Sequence, residues 1–132
     1  MNIDKHKERL KESLQVIGEA IDTGIVERQR TIGFRVSAAS ADLFEIYLHK
    51  NNLIDPGFIV KHEWFKSKNK LREKFPFDFK YKKEMFNIMH NIETKRNMLC
   101  YGIPQKEEII QKVLSNFNEL KDLFKENGVE IE

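Results

Sequence analysis

Cysteine is nearly missing from this sequence. Cys100 is the single thiol, so the chain cannot close a disulfide on itself, and thiolates cannot supply a zinc site. Three prolines and six glycines are spread over 132 residues without forming a Pro/Gly/Ser-rich linker. Residues 1–132 therefore read as one domain. Long apolar runs are also lacking: no stretch approaches the roughly 18 residues that a membrane helix needs. Glycine-rich phosphate loops, the dinucleotide fingerprint and a Gly-x-Ser-x-Gly elbow are absent, which excludes the chemistries that those motifs carry. His6, His49, His62 and His90 do not fall into His-Glu-x-x-His spacing, so neither a metal nor a cofactor is expected. A formal charge of only +2 demands no polyanionic partner. Met-Asn-Ile-Asp-Lys-His-Lys-Glu-Arg at the start has no apolar run behind it, so no secretory leader is expected. With the lone cysteine, this points to a reducing, cytoplasmic setting.

What the sequence does hold is helical periodicity. Leu10, Leu14, Ile17 and Ile21 recur on one face, with Asn2 or Asp4 placed to cap a first helix that ends near Gly24. A longer helix is expected from about Val26 to Asn51. Ile32, Val36, Ala39, Leu43, Ile46 and Tyr47 share one side of it, and Phe34, Ala38, Ala41, Phe44 and Leu48 lie largely opposite. Two apolar sides make it the central, buried helix. Its slim middle, Ser37-Ala38-Ala39-Ser40-Ala41, lets neighbours approach closely. Pro56 suits the first turn of a short helix, and helical spacing returns from about Lys80 to Tyr101, where Gly102 and Pro104 end it. A last amphipathic helix carries Ile109, Val113, Leu114, Phe117, Leu120 and Phe124 and closes at Asn127-Gly128. No period-two alternation persists long enough for a strand. The expected fold is all-α, a compact bundle of about five helices.

The helix from Lys80 to Tyr101 carries the chemistry. Met85, Ile88, Met89, Ile92 and Leu99 form one apolar stripe, and Arg96 falls near its middle. An arginine there must snorkel to an edge, meet a buried carboxylate, or face a cleft or interface. Glu93, one turn earlier, is the nearest candidate partner. Phe86, His90, Glu93, Asn97 and Tyr101 run along the flank as a second, polar and aromatic row.

At these residues the chain resembles the HEPN (higher eukaryote and prokaryote nucleotide-binding) domains, whose signature is an arginine, a polar residue and a later histidine. Arg96-Asn97-Met98-Leu99-Cys100-Tyr101-Gly102 matches the arginine and the asparagine, and Tyr101 stands where the histidine belongs. The resemblance implies a helical homodimer in which two Arg96 side chains face a shared cleft that binds RNA or a nucleotide. It also implies metal-independent ribonuclease or toxin activity, with Arg96 and Tyr101 as catalytic candidates and Arg96, Asn97, Glu93 and His90 as ligand contacts. A minimal nucleotidyltransferase is the implied protein partner, and a non-catalytic interaction module paired with it is the alternative. Tyrosine weakens the catalytic expectation, because a phenol titrates near 10 and an imidazole near 6.5. Ile103 occupies the position where some such toxins carry a modifiable tyrosine.

Lysines and aromatics alternate between Lys61 and Lys83, among them Trp64, Phe65, Phe75, Phe77, Phe79 and Tyr81. That mixture can stack on bases and neutralise phosphate. The favoured reading is that the rings cap the open end of the bundle and the lysines keep its rim solvated. Cys100, beside the apolar stripe, reads as a buried, inert thiol.

Overall fold

Asn2 starts the first helix by accepting the Lys5 N–H on its side-chain oxygen at 3.0 Å, which satisfies one of the orphan donors of the first turn. The computed structural model describes residues 2–131. In chain order it contains α1 (Ile3–Thr23), α2 (Gln29–Lys50), a 3-10 turn (His62–Lys66), α3 (Lys68–Lys74), α4 (Lys82–Tyr101) and α5 (Glu107–Glu126). No strand occurs among the described residues, so the all-α expectation holds. Nor is any described helix long and apolar enough to cross a membrane.

The periodic helices lie close to where their patterns place them. Gly24 ends α1 with φ 142°, a backbone state that side chains rarely adopt, and its N–H returns to the Ala20 carbonyl. The anticipated short helix at Pro56 does not form. Asp55-Pro56-Gly57-Phe58 is instead a single turn, closed by the Phe58 N–H on the Asp55 carbonyl at 2.9 Å. Proline there serves the turn rather than a helix start. Helical structure resumes only at His62.

α2 is the axis of the bundle. It packs against α1, α4 and α5, and Ile32, Val36, Ala39, Leu43, Phe44 and Leu48 are fully buried. Its second apolar side is only partly covered: Phe34 and Ala41 are half-buried and Ala38 is exposed. α4 approaches α2 closely at Gly33, and again at Ser37 of the Ser/Ala run, whose hydroxyl reaches Glu93. A Cβ built at Gly33 would lie 2.9 Å from Leu99 Cβ and 3.1 Å from Cys100 Sγ.

The aromatic residues of the basic segment close one end of the bundle. Phe44 of α2 is the hub, with Phe65, Phe75, Phe79, Phe86 and Phe124 all meeting its ring at centroid distances of 4.9–6.3 Å. Lys82 ties down the chain before α4 by donating to the Phe75 and Phe77 carbonyls at 2.9 and 2.5 Å. These rings are spent on packing, and the lysines around them stay largely exposed.

Candidate functional site

Glu93 faces inward from α4 and is 2% exposed, so its carboxylate needs partners inside the protein. It finds two. Ser37 Oγ of α2 donates to Oε2 at 2.8 Å, and His62 Nδ1 of the 3-10 turn lies 2.5 Å from Oε1. Both oxygens are therefore used away from Arg96, and the Glu93–Arg96 pair anticipated from helical spacing does not form. With Nδ1 committed to the carboxylate, Nε2 is the ring atom left for a ligand. The His62 side chain is 39% exposed and sits at the edge of an open groove.

Two adjoining recesses make up that groove, sharing Arg35, Ala38 and His62. The smaller, about 500 Å³, is lined by Val16, Thr31, Phe34, Arg35, Ser37, Ala38, His62 and Arg96. Two guanidinium groups, an imidazole and two hydroxyls line it, and no carboxylate does. The larger, about 590 Å³, extends past Arg9, Asp42, Glu45 and Lys61. Arg35 is held by Glu12 at 3.1 Å on an exposed edge, a pair too solvated to hold the guanidinium strongly. The exposed Ala38 and half-buried Ala41 leave the groove floor without bulky side chains.

Arg96 is half-buried, with its guanidinium 4.8 Å from the centre of the Phe34 ring and a long hydrogen bond, 3.4 Å, to Asn97 Oδ1. It thus sits over an aromatic ring at the groove, one of the options open to an arginine in an apolar stripe. Tyr101 meets the same Phe34 edge-on at 5.8 Å and is 67% exposed, but it does not line the groove. Asn97 is exposed beside Arg96. His90 points elsewhere: its Nδ1 is 3.0 Å from the Phe65 carbonyl, and it borders a separate recess with Lys68, Arg72, Lys82 and Lys83. The sequence-predicted residues therefore divide. Arg96 and, through His62, Glu93 belong to the groove; Asn97 and Tyr101 stand at its rim; His90 is apart.

His62 was not singled out from sequence. Its signal lay in Glu93: a carboxylate on the apolar face of a buried helix implies a basic partner, and the one it has comes from 31 positions upstream. Cys100 is buried against α2, where loss of solvent raises its thiol above the ordinary range despite Arg96 and Arg30 nearby. Comparison of the chain with protein-family models, curated proteins and solved structures returns no match.

Proposed function

We propose that this chain binds the phosphate of an RNA or nucleotide in the recess between Arg35, His62 and Arg96, acting as a HEPN-like protein. One observation carries the reading: Arg35, Arg96, His62 and Thr31 line one recess whose lining residues include no carboxylate, Glu12 and Glu93 lying behind Arg35 and His62. Arginine's planar fork suits phosphate oxygens, and the partly desolvated setting strengthens the attraction.

The same arrangement supports metal-independent cleavage of RNA. In that reaction the 2′-hydroxyl attacks the adjacent phosphorus, the bond to the 5′-oxygen breaks, and a proton must leave one oxygen and reach the other. His62 Nε2 receives the proton of the attacking hydroxyl, Glu93 on Nδ1 stabilises the imidazolium that results, and the leaving 5′-oxygen takes its proton from water in the open groove. Arg96 and Arg35 offset the charge that builds on the phosphate oxygens. His62 thereby supplies the imidazole that position 101 lacks, and Tyr101 is a rim contact.

The test compares single-stranded RNA binding and cleavage, with a chelator present, for the wild type, Arg96→Ala, Arg35→Ala and His62→Gln. Loss of binding by about tenfold or more in each arginine variant is expected. His62→Gln should bind while losing cleavage. Arginine variants that bind as the wild type does would remove the recess from consideration.

A second reading has its own support. Ile103, Tyr101 and Met98, at the end of α4 and just beyond, are 80%, 67% and 38% exposed. Large apolar groups left in water favour a protein contact. On this reading the end of α4 meets a second copy of the chain, or a nucleotidyltransferase partner, and the groove is an interaction feature. Light scattering on the wild type and Ile103→Glu separates the two: a dimer dissociated by the substitution supports the contact surface.

A further inference from the structure

At the far end of the groove, four titratable side chains from two helices meet in the core. Asp42, Glu45 and His49 lie along one face of α2, and His6 comes from α1. His6 and Glu45 are 4% and 2% exposed, and the His49 side chain is 11% exposed. Helix packing of this kind normally buries apolar groups, and polar ones buried in their place are normally hydrogen-bonded. Here three atoms are not. His6 Nε2, Glu45 Oε2 and His49 Nε2 are buried and make no hydrogen bond, the first two being in direct ionic contact with each other, and all three lie within 4.8 Å of one another.

The opposite edges of two of these groups are fixed. His6 Nδ1 is 2.8 Å from Asp42 Oδ1, which turns Nε2 toward Glu45. Glu45 Oε1 accepts the Val60 N–H, which leaves Oε2 facing the two imidazoles. Glu45 Oε2 touches His6 Nε2 and lies 3.8 Å from His49 Nε2. A carboxylate on the far nitrogen of a histidine is the arrangement that orients a metal-binding imidazole. His6, Asp42 and Glu45 also line the larger recess, so water has access to one side of the cluster.

We propose that His6, Glu45 and His49 bind a divalent first-row transition cation of the zinc type, with Asp42 as the residue that positions His6. Two imidazole nitrogens and one carboxylate oxygen make the donor set that Zn2+ accepts, with water as a fourth ligand from the recess. The cation enters between His6 and Glu45, replacing their direct contact. This site is separate from the phosphate recess and stands whether or not that recess binds RNA. It also departs from the expectation that the chain takes no metal, which rested on spacing along the sequence.

The experiment uses the full chain stripped with a chelator and titrated with Co2+ or Zn2+ alone. The expected result is one equivalent of Co2+, visible through the intense absorption of a four-coordinate site and bleached by Zn2+. Thermal unfolding should shift upward with zinc; at a hundredfold excess of free zinc over its dissociation constant, the unfolding equilibrium constant falls about a hundredfold. Glu45→Gln keeps an oxygen for the Val60 N–H but removes the ligand, and His49→Gln removes the second imidazole; both should lose the Co2+ spectrum. Asp42→Asn should keep the spectrum and weaken binding by about 10–100-fold. A folded wild type that gives only the spectrum of hydrated Co2+, with unfolding unmoved by zinc, overturns the proposal. So does binding that persists unchanged in Glu45→Gln and His49→Gln, and the wild-type titration decides alone should either variant fail to fold.

Discussion

The carboxylate of Glu93 reaches His62 Nδ1 at 2.5 Å, so a residue facing the core of α4 fixes the imidazole at the mouth of the groove. Removing the imidazole leaves a buried carboxylate with Ser37 as its one hydrogen-bond donor. His62→Ala is therefore expected to cost about 1–3 kcal/mol. Adding Glu93→Gln to it should recover part of that loss, since the stranded charge goes with it. Urea midpoints with an unchanged slope check both values.

Arg96 is the opposite case. Half-buried over Phe34 and without a carboxylate partner among the described residues, it contributes to stability through a cation–ring contact worth roughly 0.5–1 kcal/mol. Arg96→Ala should melt close to the wild type. If RNA phosphate occupies the recess, the variant should bind more weakly across sequences and show a logarithmic salt slope smaller by about 0.7. Fluorescence titrations at three or more salt concentrations measure that slope.

Two glycines inside helices should respond in opposite directions to the same substitution. Gly33→Ala pushes a methyl group to 2.9 Å from Leu99 Cβ and should destabilise by about 1–3 kcal/mol. Gly18, within α1, has nothing within 4 Å of a built Cβ, so Gly18→Ala should stabilise by about 0.5–1 kcal/mol. Thermal denaturation of the two variants side by side tests the α2–α4 packing directly.

Cys100 carries a pH signature. Burial raises its thiol above the ordinary 9.0, so the folded protein holds that proton where the unfolded chain releases it. The contribution to stability is full below pH 9.0 and is lost as pH rises through the higher folded value. Stability should fall over that alkaline window in the wild type, and by less in Cys100→Ala. A thiol-specific chromogenic reagent should react much faster with the unfolded chain than with the folded one.

Much of the fold was legible because it rests on periodicity. Met85, Ile88, Met89, Ile92 and Leu99 are all buried, as their spacing on α4 predicts. On α1, Leu10 and Ile17 are buried and Leu14 half-buried, whereas Ile21 is 46% exposed and Ala20 beside it is the buried residue of the last turn. Arg96 stood out for the same reason: a charge in an apolar stripe has few physical options. Periodicity speaks only of faces on one helix, however. It cannot say that a 3-10 turn will bring His62 to Glu93, or that α1 will lay His6 across Asp42 and Glu45. Those pairings depend on how elements cross, and the turn at Pro56, read as a helix start, is what routes the chain to His62. The nearest local clue was the polar row Asp42, Glu45 and His49 on a helix otherwise apolar on both sides.

The stretch 51–67 has consequences of another kind. It crosses the surface with few backbone hydrogen bonds of its own, and the bundle grips it through the Val60 N–H on Glu45, His62 on Glu93, and the rings of Phe58, Trp64 and Phe65. Such a segment can detach as a unit while the long helices stay folded. Its detachment would flood two buried carboxylates at once, so amide exchange at Val60 reports on both ends of the groove. Whatever binds Glu45 or His62 must slow that exchange, which makes one backbone proton a gauge of occupancy for the whole face.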